Sequence, residues 1–520
     1  MRANPLPDFS LRDLEGVDHT FPNGTTTLLC FVKEDCPTCN LVLPVVDTIS
    51  RESDTRVLLP GQTAEGNTVL RDKFRPSATI LDDSILKVSF AFGVETVPLV
   101  ILCDNNGQEI DSLTGFDKNE WQSFYSKHFP MVAIDWSALP DWRPGCGSLT
   151  QDPIIGERLL AESENNPLRA RKIEIGLQDD VHEFMFDQGF TDGLPVVPPT
   201  PERVLRMLAG TMRDPQEEVA VVPPNLAPAT VEKVAINAVL AGCKPEYMPV
   251  VIAALEAVCT DEFNGHGVFA TTMGASPVMV INGPIRHKIG MGMGMSVLGQ
   301  GNRANASIGR ALRLAVRNIG GARPGGTERT TLGSPMKYTM CFAEWEERSP
   351  WEPLHVERGF DPNDSVVSLF AMSGGPSLIV DQASRQGKQL ATSMGLSLRA
   401  QHHIKSHRAG DTLLVVSPEH GDTFASSKWK KQDVREQIQS ASSVPLRDLF
   451  EDEESPVGIP ASRLEGLPEE ELNRPVPKFA STKNIHLVFA GSEAGMFTSA
   501  FHGWASGPMG SIPVSRKIEF

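Results

Sequence analysis

Cys36-Pro37-Thr38-Cys39 sits between two stretches of opposite texture, and that placement constrains this chain more than any other feature. Thr26 to Val32, TTLLCFV, is a short apolar run of β-type residues. Leu41 to Ile49 carries apolar residues at helical spacing. The cysteine pair therefore stands where a strand hands over to a helix. Free N–H groups and partial positive charge at a helix start stabilise a thiolate and lower the pKa of the first cysteine. Cys36 is expected to be the exposed, attacking sulfur. Cys39, one turn in, is expected to resolve the mixed disulfide. The alternatives are a zinc half-site or two inert thiols. Zinc would need two more ligands at matching spacing, and no second C-x-x-C occurs.

At 520 residues the chain exceeds one ordinary core, so two or three domains are expected. A net charge of −17 argues against a sequence-independent nucleic-acid surface, which needs clustered Lys and Arg. No apolar run approaches the ~18 residues that would span a bilayer. The opening MRANPLPDFS has no apolar signal core, so a cytoplasmic location is expected. Eight cysteines over this length do not make a disulfide framework, which favours a catalytic role for a close pair.

Further along, Val97 to Cys103 (VPLVILC) reads as a strand, Asp104-Asn-Asn-Gly107 as a hairpin turn, and Gln108 to Leu113 as its partner. Asp117-Lys-Asn-Glu120 has the pattern of a capping box that opens a helix. Residues 1–130 thus form an α/β unit with helices on a sheet.

With PDFSLRDLEG at its opening, CPTC, Pro44 five residues beyond Cys39, Val97-Pro98 and Gly115, the segment 5–129 resembles the thioredoxin superfamily. It lies nearer the TlpA-like and peroxiredoxin-like branch. The resemblance implies a thioredoxin fold, dithiol–disulfide exchange at Cys36 and Cys39, and a cis Pro98 beside the sulfurs. A peroxidatic cysteine would follow a threonine that VKEDCPTC lacks, so peroxidase activity is not implied.

Residues 131–190 read as a connector carrying Cys146 and a helix that starts at Asp152-Pro153, runs through Glu162 and stops at SENNP. Gly145 and Gly147 strip side-chain cover from Cys146, with Ser148 after them, so its thiol should be reachable. The bland alternative is a cysteine in a Pro-Gly turn. RPGCGSLT, TDGLPVVPPTPERV and ATVEKVAINAVLAGCKPEYMPVV resemble a set of poorly characterised bacterial proteins with a cysteine-glycine-serine motif, some with selenocysteine at that position. That resemblance implies that Cys146 is redox-active.

Residues 191–520 read as a larger α/β domain with Gly-rich loops. MGASPVMVIN and MSGGPSLIVD, 99 residues apart, echo each other. They either mark two related halves or are two buried strands that look alike. Gly290 to Asn318 brings a Gly-rich loop into a helix, where Asn302, Arg303 and Asn305 are candidates for binding an anion. Arg310 can add to a basic face, whereas Arg313 and Arg317 read as solvated. His266 lies between glycines. His355 lies near Glu344, Glu346, Glu347, Glu352 and Glu357, a possible acid–base or metal cluster. His403 and His407 are spaced i, i+4, which reads as a solvated helix face. His420 ends a strand, and His502 with Trp504 suggests a pocket wall.

The combined expectation is a thiol-dependent oxidoreductase of α/β class. The CPTC module (Cys36, Cys39, with Pro98) would reduce a working cysteine, Cys146, supported by Ser148. Cys146 would act on a small, anionic substrate held by Asn302, Arg303, Asn305, His266, His355, His420 and His502. No cofactor or metal is implied, and a thioredoxin- or glutathione-type thiol would supply electrons. Neither nucleic acid nor membrane is an expected partner, and a homo-oligomer is an expected state. The alternative is a His/carboxylate hydrolase or lyase, metal-dependent or not, with an accessory thioredoxin-like domain.

Overall fold

A computed structural model describes residues 6–163, 166–176, 178–408 and 410–520. The chain divides into two units, Met1–Asn166 and Pro167–Phe520. The division falls within residues 131–190, and Cys146 packs within the first unit.

The first unit opens with a small ribbon, β1 (Phe9–Arg12) against β2 (Asp18–Phe21). Then come β3 (Thr27–Phe31), α1 (Pro37–Glu52), β4 (Arg56–Gly61), α2 (Ala64–Phe74), β5 (Thr79–Asp82) and α3 (Lys87–Ala91). They are followed by β6 (Thr96–Val97), β7 (Leu99–Cys103), β8 (Glu109–Thr114), β9 (Phe116–Asp117) and α4 (Lys118–His128). The main sheet has the order β5-β4-β3-β7-β8, with β3, β4 and β5 parallel and β7 and β8 antiparallel. A central strand feeding directly into the helix that carries C-x-x-C, with an antiparallel hairpin beside it, is a thioredoxin fold.

The sequence accounts for these elements locally. Every residue of β3 is buried, as an apolar run covered on both faces should be. Pro37 sits in the first turn of α1, where its missing N–H costs nothing. Val42, Leu43, Val46 and Ile49 of that helix join the core, each contributing about 1.5–3 kcal/mol by burial. Asp117 caps α4 by accepting from the N–H groups of Asn119 and Glu120. Trp121 and Tyr125 then reach inward, donating to the carbonyls of Gly115 (3.1 Å) and Val45 (2.6 Å).

Beyond α4 the chain doubles back across the sulfur end of this unit. β10 (Trp142–Arg143) pairs with β9, and β11 (Cys146–Gly147) pairs antiparallel with β6, Cys146 opposite Val97. Helix α5 (Pro153–Glu162) follows, capped by Asp152 as its Asp-Pro start predicts. Its expected stop at SENNP begins with Ser163 as the cap, and residues 164 and 165 lie outside the described residues.

The second unit begins with α6 (Val181–Asp187), α7 (Pro201–Leu208), β12 (Glu218–Val222), β13 (Ala227–Thr230), α8 (Val231–Leu240) and α9 (Met248–Val258). Next are α10 (Gly265–Ala270), β14 (Ser276–Asn282), α11 (Ile285–Lys288), α12 (Arg303–Asn318), β15 (Cys341–Ala343) and α13 (Leu354–Glu357). Then come β16 (Val366–Val380), α14 (Gly387–Leu398), β17 (Thr412–Val416), α15 (Pro418–Ser426) and α16 (Lys431–Ser442). The short strands β18 (Val444–Pro445) and β19 (Pro475–Val476) pair with each other. Last are β20 (Ile485–Phe489), β21 (Phe497–Gly503) and β22 (Val514–Lys517). One mixed sheet in the order β15-β14-β16-β21-β17-β20, with β22 also on β16, organises the unit. Its β14 and α8, α9 and α12 share one core. The two echoing segments do not pair with each other: residues 273–282 enter β14, which lies against residues 366–372 of β16, whereas residues 372–381 continue β16 beyond that pairing, lie against β21 and are largely exposed.

Candidate functional site: three sulfurs in the first unit

Cys36 is the N-cap of α1, and its sulfur accepts from the Cys39 N–H at 3.2 Å. Its thiol form donates to the Val97 carbonyl at 3.5 Å, and the Val97–Pro98 peptide is cis. The thiols of Cys39 and Cys146 both favour the charged form of the Cys36 sulfur. The Cys39 hydrogen bond comes first among the influences that hold the Cys36 pKa down, to about 5. Burial opposes it, while the Cys146 thiol and the N–H groups of Cys39 and Thr38 add to it. Cys39 is driven the other way, by burial and then by the negative Cys36 sulfur beside it. Cys146 is also raised, by burial first and then by donating to Cys36. A nucleophile ionised at neutral pH thus lies between two thiols that keep their protons.

One expectation is reversed here. Cys36 was read as the exposed sulfur, yet its exposure is 0%, and so is that of Cys39. Cys146 is the only one of the three that is partly exposed. The cause is the returning segment, which lies over the start of α1. Thr38 Oγ donates to the Pro144 carbonyl at 2.6 Å, Lys33 Nζ reaches the Gly147 carbonyl at 3.3 Å, and Ser148 N–H donates to Glu95 at 2.9 Å. Ser148 supports the site from behind, as Gln62 donates to its hydroxyl at 2.7 Å and accepts from the Leu149 N–H at 3.1 Å. Thr38, Gln62 and Lys33 were not singled out from the sequence. Nothing in their spacing marks them, because they act only once residues 142–150 have returned.

Gly145 has a tight place in this segment. A Cβ there would lie 2.3 Å from Thr96 Cγ2 and 2.8 Å from the Val97 carbonyl oxygen, so only glycine fits. At Gly147 a Cβ would meet nothing within 4 Å.

The residues expected to bind substrate in the second unit are dispersed. Asn302 and Asn305 are spent on the Gly-rich loop. Asn302 caps Asn305 and donates to the Gly290 carbonyl, while Asn305 both accepts from and donates to Gly292. Arg303 donates to the Gly242 carbonyl at 2.9 Å. His266 is exposed on α10. His355 is fully buried, with Nδ1 3.8 Å from Glu346 and without a hydrogen-bond partner. His420 is held between Thr498 and the Asp381 carbonyl. His502 meets Ser377 at 2.8 Å, and burial lowers its pKa to about 4. Among the described residues no hydrogen bond or ion pair joins any two of these four histidines, and no cluster of three or more metal-ligating side chains occurs. His403 and His407 do not share a helix, since α14 ends at Leu398 and the loop beyond is gathered by Lys478 Nζ on four carbonyls. The sequence reading also missed Arg286 and Asn282, which bind the Glu344–Glu347 carboxylates from below.

No family model matches this chain, and no curated protein does. Among solved structures it is similar to StoA from Bacillus subtilis, at 22% identity and a TM-score of 0.22, over 24% of this chain and 99% of that one. A putative thioredoxin from Neisseria meningitidis aligns at 21% identity and TM-score 0.22, covering 25% and 93%. A putative thiol:disulfide interchange protein DsbE from Chlorobium tepidum aligns at 18% and 0.23, covering 26% and 99%. The resemblance of residues 140–520 to cysteine-glycine-serine proteins finds no counterpart in these comparisons. Fold and sulfur geometry together define the first unit as a thioredoxin-like unit suited to thiol redox chemistry. Among the described residues no helix is long and apolar enough to cross a membrane.

Proposed function

We propose that the first unit is a three-sulfur thiol–disulfide relay in which Cys146 is the sulfur that meets the substrate and Cys36–Cys39 is its attached reductant. The observation that supports this reading is the pairing of β11 with β6, which sets Cys146 opposite Val97, the residue whose carbonyl accepts from Cys36.

The steps balance as three exchanges. Cys146 loses its proton to solvent and attacks an external disulfide, forming a mixed disulfide and releasing one thiolate. Cys36, already a thiolate, attacks the Cys146 sulfur, so a Cys36–Cys146 disulfide forms and the second external thiolate leaves. Cys39 then loses its proton and attacks Cys36, leaving a Cys36–Cys39 disulfide and a free Cys146. Two electrons have passed to the substrate. A thioredoxin- or glutathione-type dithiol donor resets the pair. Tethering keeps the sulfurs at an effective concentration of about millimolar or higher.

The test uses the full reduced chain and Ellman's disulfide in stopped flow. With one equivalent of the disulfide, the wild type releases two thiolates per site quickly. Cys146→Ser slows that release at least tenfold because Cys36 is covered, and Cys36→Ser stops after one equivalent with the label on Cys146. Wild-type speed in Cys146→Ser would show that Cys36 is reached directly and would remove Cys146 from the relay.

A further inference from the structure

From Arg303 to Lys337 the chain carries seven cationic side chains (Arg303, Arg310, Arg313, Arg317, Arg323, Arg329 and Lys337) and one carboxylate, Glu328, in a protein of net charge −17. Of Arg313 and Arg317, read from the sequence as a solvated face, the first is buried and the second half-buried. Arg313 is 7% exposed, and Arg317 donates to the Gly189 carbonyl at 2.7 Å.

The pairing within this cluster is incomplete. Arg310 and Asp192 satisfy each other through two hydrogen bonds of 2.9 and 2.7 Å. Glu328, itself 6% exposed, is then shared. Arg313 Nη2 lies 3.4 Å from one of its oxygens, and Lys337 Nζ forms an ion pair with the other at 2.9 Å. Arg313 Nε takes the Lys337 carbonyl, and its guanidinium lies 5.0 Å from the centre of the Phe269 ring. Arg313 Nη1, Lys337 Nζ, Thr330 Oγ and Ser334 Oγ are all buried and have no hydrogen-bond partner among the described residues. Ser334 precedes a short turn of helix, Pro335–Lys337, but its hydroxyl does not cap it.

Two buried cations on one carboxylate leave a positive charge uncompensated, and each orphaned donor costs about 1–3 kcal/mol. Native proteins rarely leave such groups together unless an ion or water completes them. These groups gather around Gly333: a Cβ there would lie 3.6 Å from Thr330 Cγ2 and 3.8 Å from Lys337 Cδ, Ser334 follows it in the chain, and Arg313 donates to the Lys337 carbonyl. The donor set is a guanidinium, an ammonium and two hydroxyls. That is more separate donors than the two oxygens of a planar carboxylate use, and it suits a tetrahedral, doubly charged oxyanion. Burial and then the Arg313 charge already lower the pKa of Lys337, so an anion there would relieve both cations. Residues 323–326 and 331–333 are exposed, and Gly325 and Gly333 have positive φ, so the loop over the cluster is the route of entry.

We propose that Arg313, Lys337, Thr330 and Ser334 form a binding site for a phosphate group, free or as a monoester, in the second unit. It is independent of the sulfur relay.

The test is calorimetric titration of the full chain with inorganic phosphate and with methyl phosphate, against acetate and against chloride at matched ionic strength. The expected result is one phosphate bound per chain, with acetate at least tenfold weaker. Equal binding of methyl phosphate assigns the site to a phosphorylated small molecule, and preference for inorganic phosphate assigns it to the free ion. Lys337→Met and the double variant Thr330→Val/Ser334→Ala should each weaken binding at least tenfold. The double variant changes no charge and decides the matter if Lys337→Met does not fold. Phosphate binding no tighter than acetate, or wild-type affinity in the double variant, overturns the proposal.

Discussion

Replacing Cys146 by alanine should raise the pKa of Cys36, and the structure sets the size of the change. The Cys36 thiolate, at about 5, is stabilised first by the Cys39 thiol, then by the Cys146 thiol and the N–H groups of Cys39 and Thr38. A hydrogen bond to a charged acceptor contributes about 1.5–3 kcal/mol. A thiol is a weak donor, so the low end applies, and one pKa unit corresponds to about 1.4 kcal/mol. The expected rise is roughly one unit. Loss of burial would push the other way. However, the backbone pairs of β11 with β6 and the Thr38–Pro144 bond do not involve the Cys146 side chain, so Cys36 stays covered. At pH 5.5 the thiolate fraction should fall from roughly three quarters to roughly one quarter. The assay is thiolate absorbance at 240 nm in the reduced chain, with Cys36→Ser as blank. Cys146→Ser keeps a donor, and a stronger one, so its Cys36 pKa should not rise. An unchanged or lower pKa in Cys146→Ala would refute the reasoning, and so would equal rises in both variants.

Gly145→Ala should prevent residues 144–147 from seating, because its Cβ would collide with Thr96 and the Val97 carbonyl, whereas Gly147→Ala should be tolerated. Alkylation of Cys36 by iodoacetamide at pH 7 should then speed at least tenfold in the first variant and less than twofold in the second. Stability of the reduced chain should depend on pH through Cys36. Its folded pKa lies near 5 against an ordinary 9.0, so the contribution is complete above pH 9 and is lost as pH falls through 5. At pH 7 it amounts to about 3 kcal/mol. Chemical unfolding followed by tryptophan fluorescence should show reduced wild type exceeding Cys36→Ala at pH 7, with the gap smaller by about 2.5 kcal/mol at pH 4.5. Asn302→Ala should loosen the Gly-rich loop, costing about 1–2 kcal/mol for the lost cap and the bond to Gly290, read as faster proteolysis at residues 290–302.

What was legible in the sequence was local. The buried run of β3, the Cys36 cap with Pro37 behind it, the Asp117 cap of α4 and the Asp152 start of α5 each depend on residues a few positions apart. The thiolate character of Cys36 followed from the same local logic. Its burial did not, because the cover comes from residues more than a hundred positions away, and the spacing of RPGCGSLT gives no sign of pairing with Thr96-Val97. In the second unit the same limit worked against the reading. Asn302 and Asn305 have the composition of an anion site, yet their side chains are consumed by the loop they follow. Arg313 and Arg317 have the spacing of a solvated face, yet residues 189–194 and 323–337 fold over them. Histidines chosen for glycine neighbours or strand ends came to rest apart, since each was placed by its own strand or helix and nothing in the pattern linked one to another.

The most direct test of the relay is to trap its middle step. Cys39→Ser cannot resolve, so mild oxidation of the full chain, blocking of free thiols and unreduced peptide mapping should find Cys36 linked to Cys146. If Cys36 pairs only with an added small thiol or with a second chain while Cys146 remains a free thiol, the sulfurs do not exchange and the relay is wrong.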